Sequence, residues 1–163
     1  MAAGEKQPRL FLDADGVLAD FDEGARQLLG MPVKAFEARH GRGAFWKRLA
    51  NAKNFYGSLP KMADADELFE AVKHLNPIIL TGLPRGNWAA DQKVRWAAKY
   101  FPGTKIITTM ARDKRNHAKE HDVLVDDQIR HAHLWQEMGG VFIHHTDAKS
   151  SIEALRAYFP VPA

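Results

Sequence analysis

Short apolar runs recur along this 163-residue chain, and segments with the apolar spacing of helices separate them. Runs of this length and composition are typical of strands that are buried on both faces of a sheet. Strands that alternate with helices usually form a parallel sheet with helices on both sides. The pattern therefore predicts a three-layer α/β fold. Its five parallel strands are predicted at residues 9–13, 78–81, 105–109, 123–125 and 141–143.

Four helices are predicted around these strands, at residues 64–75, 87–101, 129–138 and 150–159. Two of them begin with the spacing of a capping box, in which a side chain at the helix start bonds a backbone N–H three residues later. Those pairs are Asp64 with Glu67 and Ser150 with Glu153. In the helix at 87–101, one apolar face is expected to be buried. It consists of Ala90, Val94, Ala97, Ala98 and Phe101.

One stretch, residues 19–62, breaks the alternation of strands and helices. It is rich in Gly, Phe, Trp and Arg, contains no strand signal and directly follows the first strand. We interpret it as a small helical cap inserted into the sheet domain. The core domain would then consist of residues 1–18 and 63–163.

Composition excludes several classes of protein. Hydrophobic residues at 45% and charged residues at 26% are typical of a globular chain. The absence of Cys excludes disulfides, Cys-zinc sites and thiol nucleophiles. No apolar run reaches the roughly 18 residues of a membrane span, and the first nine residues lack the apolar stretch of a secretory signal. We expect a cytoplasmic protein without a membrane partner.

Residues suited to phosphate chemistry follow four of the five predicted strands. Ligands of open parallel sheets bind at this carboxyl edge, so these side chains are expected to meet there. The groups are Asp13-Ala14-Asp15-Gly16, Thr81-Gly82, Arg112-Asp113-Lys114 and Asp126-Asp127.

Four acids that converge on one point repel each other unless a cation neutralises them. Oxygen ligands are those that Mg²⁺ prefers, so Asp13, Asp15, Asp126 and Asp127 predict a magnesium site. A lysine and a hydroxyl beside the metal would hold phosphate oxygens. This combination of groups favours phosphoryl transfer.

The same residues resemble the four motifs of the haloacid dehalogenase superfamily, whose core is a Rossmann-like sheet. The string LFLDADGVLADF is followed in order by Thr81, Lys114 and Asp126-Asp127. A narrower resemblance, over about residues 9–130, is to the 5′(3′)-deoxyribonucleotidases. It rests on DGVLADF, Asn54-Phe55-Tyr56 with Leu59-Pro60, Lys93…Trp96…Lys99-Tyr100-Phe101, and Arg112-Asp113-Lys114. The chain departs from that pattern after Thr81, where it reads Gly-Leu-Pro-Arg instead of the expected Ser-Pro.

The resemblance implies a role for each residue. Asp13 would be the nucleophile that forms an aspartyl-phosphate, and Asp15 would be the general acid and base. Mg²⁺ would bind the Asp13 carboxylate, the Asp15 backbone carbonyl and Asp126. Asp127 would contact the metal through a water molecule or support the other ligands without binding the metal. Phosphate would be held by Thr81, Lys114 and the Gly82 amide. Dehalogenase members lack the second acid because a halide leaves without a proton, so Asp15 favours a phosphatase.

The substrate is expected to be a small phosphomonoester. In the subfamily an aromatic residue at the position of Phe21 stacks on a nucleobase, which favours a nucleoside or deoxynucleoside monophosphate. Other aromatic residues of the predicted cap would either line the same binding slot or form the apolar core of the cap. They are Phe45, Trp46, Phe55 and Tyr56. The alternative is another small phosphate, such as a sugar phosphate.

Other interpretations remain open beside the enzyme. The chain carries a net charge of +3, and the segment 105–121 holds five basic and two acidic residues, which suggests a nucleic-acid-binding module. The pair Asp13 and Asp15 argues against it, and we expect no stable nucleic-acid partner. Asp126 would alternatively cap the helix at Ile129. For His144-His145, which resemble half a metal site, we favour a surface or turn role.

Overall fold

The computed structural model describes residues 7–162 and contains a five-stranded sheet. All its strands pair in parallel, in the order β3-β2-β1-β4-β5. The predicted α/β fold is therefore confirmed, and each strand lies within two residues of its predicted bounds. The strands are β1 (Leu10–Leu12), β2 (Ile78–Gly82), β3 (Ile106–Thr109), β4 (Val123–Asp126) and β5 (Val141–His144).

Seven α-helices accompany the sheet in the described part of the chain. They are α1 (Phe21–Leu29), α2 (Val33–His40), α3 (Arg42–Asn51), α4 (Ala65–Val72), α5 (Ala90–Tyr100), α6 (Ala132–Glu137) and α7 (Ala148–Leu155). Three 3-10 segments lie at Tyr56–Ser58, Lys73–Leu75 and Ala111–His117. Helix α6 begins three residues later than predicted, because Ile129 is largely exposed and packs no helical face against the sheet.

Both predicted capping boxes are wrong. The residue that caps α7 is Asp147, whose carboxylate accepts the Ser150 backbone N–H at 2.7 Å. Asp64 occupies the N-cap position just before α4, but its carboxylate accepts the backbone N–H of Ala148 at 2.7 Å instead. A donor from a distant segment thus replaces the local one, and this bond ties the start of α7 to the start of α4.

The two faces of the sheet are buried against different elements. On β1, Leu10 and Leu12 belong to the larger apolar core, together with residues of α4, α5 and α7. Phe11 points to the opposite face and packs edge-on against Trp135 of α6, with ring centroids 5.3 Å apart. This alternation gives the three predicted layers, because successive side chains of a strand point to opposite faces.

Residues 19–62 contain α1, α2, α3 and the segment Tyr56–Ser58, and contribute no strand to the sheet. The chain enters and leaves this stretch side by side, since the Asp20 amide donates to Pro60 and the Met62 amide to Leu18, each at 2.8 Å. The division into a cap at 19–62 and a core at 1–18 and 63–163 stays a prediction, and residues 1–6 lie outside the described chain. Among residues 7–162, no helix has the length and apolar character needed to cross a membrane.

Candidate active site

Three carboxylates come together at the carboxyl edge of the sheet. Asp13 directly follows β1, Asp126 ends β4, and Asp127 is the next residue. Because β1 and β4 are hydrogen-bonded neighbours, with the Asp13 amide donating to Val125 at 2.9 Å, these side chains are brought together. One oxygen from each carboxylate lies within 4.8 Å of the others. The sequence prediction grouped these residues, and the sheet order explains why they meet.

Lys114 is the buried cation of this cluster. It lies in the 3-10 segment Ala111–His117, and its Nζ donates to Asp13 Oδ1 and Asp126 Oδ2, both at 2.9 Å. Burial opposes its charge, but the two carboxylates prevail and raise the pKa of Lys114 above its usual value. Lys114 is therefore an ammonium at neutral pH, and within residues 7–162 nothing accepts its third N–H.

The acids of the cluster exceed this one cation. Burial raises the pKa of Asp13 well above its usual value, and Lys114 opposes the rise while Asp126, Asp15 and Asp127 add to it. Burial, followed by repulsion from Asp126, likewise raises the pKa of Asp127. Three ionised carboxylates and one ammonium leave a net charge of −2. A divalent cation at this position would supply the missing charge.

The donor set fits Mg²⁺. All candidate ligand atoms are carboxylate oxygens, which hard cations prefer. Asp127 Oδ1 is also buried without a hydrogen-bond partner in the described chain, a costly state for a carboxylate oxygen. A metal bound between Asp13, Asp126 and Asp127 would satisfy that atom.

Gly16 allows the loop after β1 to lie against this cluster. Its φ of +85° is in the left-handed region that favours glycine. A Cβ on this residue would lie 2.1 Å from Asp127 Oδ2, closer than atoms can approach. The glycine of the Asp13-Ala14-Asp15-Gly16 motif is thus required for conformation and for space.

Asp15 belongs to a second ion pair, with Lys93 of α5. The Lys93 Nζ donates to Asp15 Oδ2 at 2.8 Å, to Thr81 Oγ1 at 2.8 Å and to the Gly82 carbonyl at 2.7 Å. Thr81, which the sequence predicted to hold phosphate, is 0% exposed and contacts this lysine. Asp15 itself is about a quarter exposed.

Sequence reasoning missed Lys93 as a site residue. The predicted buried face of the helix is partly wrong, since Val94 and Ala98 are exposed while Lys93 and Trp96 are buried. At this place on the buried face, the helix has the ammonium of Lys93 with three hydrogen-bond acceptors instead of an apolar side chain. The only sequence signal was Lys93 in the motif Lys93…Trp96…Lys99-Tyr100-Phe101, where it served as a mark of resemblance.

A cavity of about 770 Å³ opens above the carboxylate cluster. Many of the predicted site residues line it: Asp13, Asp15, Phe21, Trp46, Tyr56, Gly82, Lys114, Asp126 and Asp127. Thr81, Phe45 and Phe55 are not among its lining residues. The rings of Phe45 and Phe55 are buried and pack edge-on against Phe21, with centroids 6.2 and 5.4 Å away.

The two adjacent histidines at the end of β5 have different surroundings. His144 is exposed, as predicted, with its Nε2 3.1 Å from the Asp127 carbonyl. The surface role is wrong for His145, which is 4% exposed and bonds Ser151 Oγ through Nδ1 at 2.7 Å. Burial lowers the pKa of His145.

The helix-cap alternative for Asp126 is also wrong, because α6 begins after His131 and Asp126 Oδ1 accepts the Gln128 amide.

No protein-family model and no curated protein sequence matches this chain. Among solved structures, it is similar to a hydrolase from Streptococcus pneumoniae TIGR4, with a TM-score of 0.56 and 12% identity over 93% of this chain and 100% of that one. It is also similar to the L-2-haloacid dehalogenase from Xanthobacter autotrophicus with chloropropionic acid covalently bound. That match has a TM-score of 0.57 and 13% identity, over 96% of this chain and 85% of the dehalogenase.

A third structure, a HAD hydrolase of family IA, variant 3, from Entamoeba histolytica HM-1:IMSS, overlays less well. Its TM-score is 0.48, with 19% identity over 83% of this chain and 82% of that chain. The other two likenesses, at 12% and 13% identity, concern the fold. This protein has the α/β fold of the haloacid dehalogenase and of the pneumococcal hydrolase.

Proposed function

We propose that this protein is a Mg²⁺-dependent phosphomonoesterase of the haloacid dehalogenase type. The observation that carries the proposal is the cluster of Asp13, Asp126 and Asp127 around Lys114, with Asp15 beside it in the same cavity. The cluster has the charge and the oxygen donors to bind Mg²⁺. With Mg²⁺ bound, the cluster would also bind a phosphate dianion, for which the positive charge of Lys114 alone is not sufficient.

The proposed reaction has two steps that use the residues of this chain. Asp13 attacks the phosphorus and forms an aspartyl-phosphate, while the bond from phosphorus to the alcohol oxygen breaks and Asp15 gives that oxygen its proton. Asp15 then takes a proton from water as it attacks the aspartyl-phosphate, which releases phosphate and restores Asp13. Lys114 donates its third N–H to a phosphoryl oxygen. Mg²⁺, held by Asp13, Asp126, Asp127 and the Asp15 carbonyl, would neutralise the charge of the transferring group.

Asp15 supports a phosphatase over a dehalogenase. A halide departs without a proton, whereas an alkoxide is a strong base that needs one. The Asp15 side chain lines the cavity beside Asp13, where a proton donor for the alkoxide is needed. The fold shared with a dehalogenase does not choose the leaving group.

A nucleoside or deoxynucleoside monophosphate is the substrate that we propose. Phe21, Trp46 and Tyr56 line the cavity together with Met62 and Leu83, which gives it apolar surface in addition to the acids. A nucleobase stacked on such rings gains about 1–3 kcal/mol. The basic segment at 105–121 supports a small substrate over nucleic acid, because Lys114 is buried in the site and Arg115 pairs with Glu137.

The first test is Mg²⁺-dependent phosphate release from nucleoside and deoxynucleoside 5′- and 3′-monophosphates, sugar phosphates and an aryl phosphate. We expect release from one nucleotide class, abolished by EDTA and by Asp13→Asn. Asp91→Asn is the matched control, since Asp91 lies on the exposed side of α5 and is 89% exposed. Release from sugar phosphates alone would refute the nucleotidase, and release from nothing would refute the enzyme.

A second test concerns the base. Trp46→Ala should lower kcat/KM for the nucleotide relative to ribose 5-phosphate by about tenfold, the value of one lost stacking contact. Phe36→Ala is the matched control, because Phe36 packs against Phe45 in the same helical stretch without lining the cavity. An unchanged ratio in Trp46→Ala would contradict the proposed binding of the base.

A further inference from the structure

Lys93 is a buried charge with a hydrogen-bond acceptor for each of its N–H groups. It is 3% exposed, and an ammonium removed from water at such a position is costly unless each N–H has a partner. Lys93 has three N–H groups and three acceptors, which are Asp15 Oδ2, Thr81 Oγ1 and the Gly82 carbonyl. Its Nζ also lies 4.4 Å from the ring centroid of Tyr56, a distance typical of a cation–π contact.

The three acceptors fix the ammonium relative to the sheet. Thr81 and Gly82 end β2, which is hydrogen-bonded to β1, so the Lys93 Nζ has a set position beside the loop after β1. Neighbouring residues of α5 fix the helix as well. Gln92 accepts the Tyr56 amide at 2.9 Å, and the Trp96 ring N–H donates to the Leu59 carbonyl at 2.8 Å.

This arrangement differs from that of Lys114. Lys114 keeps one N–H without an acceptor in the described chain and lines the cavity, so it can bind a phosphoryl oxygen. Lys93 has no N–H left and is not among the residues that line the large cavity. It therefore acts on the reaction through the groups that it holds, and the reactive one among them is Asp15.

We infer that Lys93 is a positioning residue for the acid–base carboxylate: it occupies Asp15 Oδ2 and leaves Oδ1 as the oxygen that exchanges the proton. The inference rests on the proposed phosphatase activity. A carboxylate free to rotate would present either oxygen in many directions, whereas an efficient proton transfer needs one oxygen within hydrogen-bond distance of the leaving group.

The dependence on the leaving group tests this role. The value of kcat/KM reports on the steps up to the departure of the alcohol. In these steps Asp15 matters only when the departing oxygen needs a proton. An alkyl phosphate does, and p-nitrophenyl phosphate does not, because p-nitrophenolate is a weak base. Lys93→Met should therefore lower kcat/KM for an alkyl phosphate about 100-fold, near the lower end of general-acid effects, and change it only about threefold or less for the aryl ester.

Asp15→Asn is expected to show the same selective loss, and the double variant shows whether the two residues act as one unit. If Lys93 acts through Asp15, the double variant loses no more activity on the alkyl ester than Asp15→Asn alone. Lys99→Met is the matched control, because Lys99 is an exposed lysine of the same helix. It should leave kcat/KM for both esters unchanged.

Since Lys93→Met leaves three acceptors unpaired, a second variant guards against a loss of folding. The chain has no Cys, so Lys93→Cys introduces the sole thiol, which bromoethylamine converts to an aminoethyl group close to lysine in length. Alkylation in denaturant followed by refolding should restore the alkyl phosphatase activity to within about tenfold of wild type. The same treatment should leave wild type unchanged.

Each outcome separates the inference from the proposed function. Equal losses on alkyl and aryl esters, or additive losses in the double variant, would overturn the role of Lys93 and leave the phosphatase intact. Failure of the refolded aminoethyl variant to regain activity on the alkyl ester would overturn it as well. If wild type releases phosphate from neither ester, the proposed function fails and the inference fails with it.

Discussion

The charge of the carboxylate cluster makes the effect of one substitution depend on Mg²⁺. Asp127→Asn removes one negative charge from a group with a net charge of −2, keeps the size of the side chain and leaves both bonds of Lys114 in place. Without a divalent cation, the substitution relieves repulsion, and we expect the variant to be more stable than wild type. With Mg²⁺, it removes an expected ligand or a partner of its bound water, and wild type should become the more stable protein.

The size of the Mg²⁺ effect follows from binding linkage. A ligand at 100 times its dissociation constant stabilises the folded state by about 2.7 kcal/mol. For a chain of this length, about 1 kcal/mol corresponds to about 2–4 °C in Tm, so wild type should gain about 5–11 °C. Without the cation, Asp127→Asn should melt about 2–4 °C above wild type, the effect of a single substitution of about 1 kcal/mol.

Thermal melting of both proteins in EDTA and in Mg²⁺ measures the predicted reversal, with Asp91→Asn as the control that should follow wild type. The pH dependence in EDTA gives a second measurement. Because the pKa values of Asp13 and Asp127 are raised, the folded state binds more protons than the unfolded state between the ordinary carboxyl pKa, about 4, and the raised values. The free energy of unfolding should rise as the pH falls through that window. An Asp127→Asn protein that melts below wild type in EDTA would refute the reasoning.

Three further substitutions test other parts of the structure. Gly16→Ala should abolish the Mg²⁺-dependent rise in Tm, because its Cβ would collide with Asp127 at a φ that alanine disfavours; an unchanged rise on melting with Mg²⁺ would contradict this. Asp122→Ala should lower the free energy of unfolding in urea by about 3 kcal/mol, since it leaves the Arg9 amide and the Arg9 Nε without their acceptor; a loss under about 1 kcal/mol would contradict it. Burial lowers the pKa of His145, so the unfolded state binds its proton first, and in Mg²⁺ wild type should lose stability as the pH falls below about 6.5. His145→Gln should lessen that loss. If urea unfolding gives the same dependence of the unfolding free energy on pH for wild type and for His145→Gln, His145 is not the group responsible.

The positions of Asp13 and Asp126 were predictable from the sequence because strand ends are local signals. An apolar run of three or four residues that stops at an acid marks both the strand and the side chain at its carboxyl edge. Parallel strands present these ends at one edge of the sheet, and the pairing of β1 with β4 then brings the side chains together. The sheet class therefore predicts that Asp13, Asp126 and Asp127 lie at the same edge, whereas their close contact depends on the strand order.

The burial of Lys93 and the bond of Asp64 depend on partners from other elements of the fold, and these could not be predicted. Periodicity assigned Val94 to the buried face of α5, since a lysine counts as polar wherever it stands. Lys93 is buried only because three acceptors from β2 and from the loop after β1 surround it. Asp64 likewise has the sequence of a local cap, but the amide of Ala148 offers it a bond from α7.

The two buried lysines divide the site into two parts with different dependence on metal. Asp15 is held by Lys93 and not by the residues of the carboxylate cluster, so its position does not depend on a bound cation. Lys114 faces three carboxylates, and that group reaches neutrality only with two more positive charges. Removal of Mg²⁺ should consequently disturb Asp13, the proposed nucleophile, while Asp15 keeps its place. A loss of activity in EDTA would then reflect the electrostatics of phosphate binding and attack, since the proposed proton donor is positioned by the protein itself.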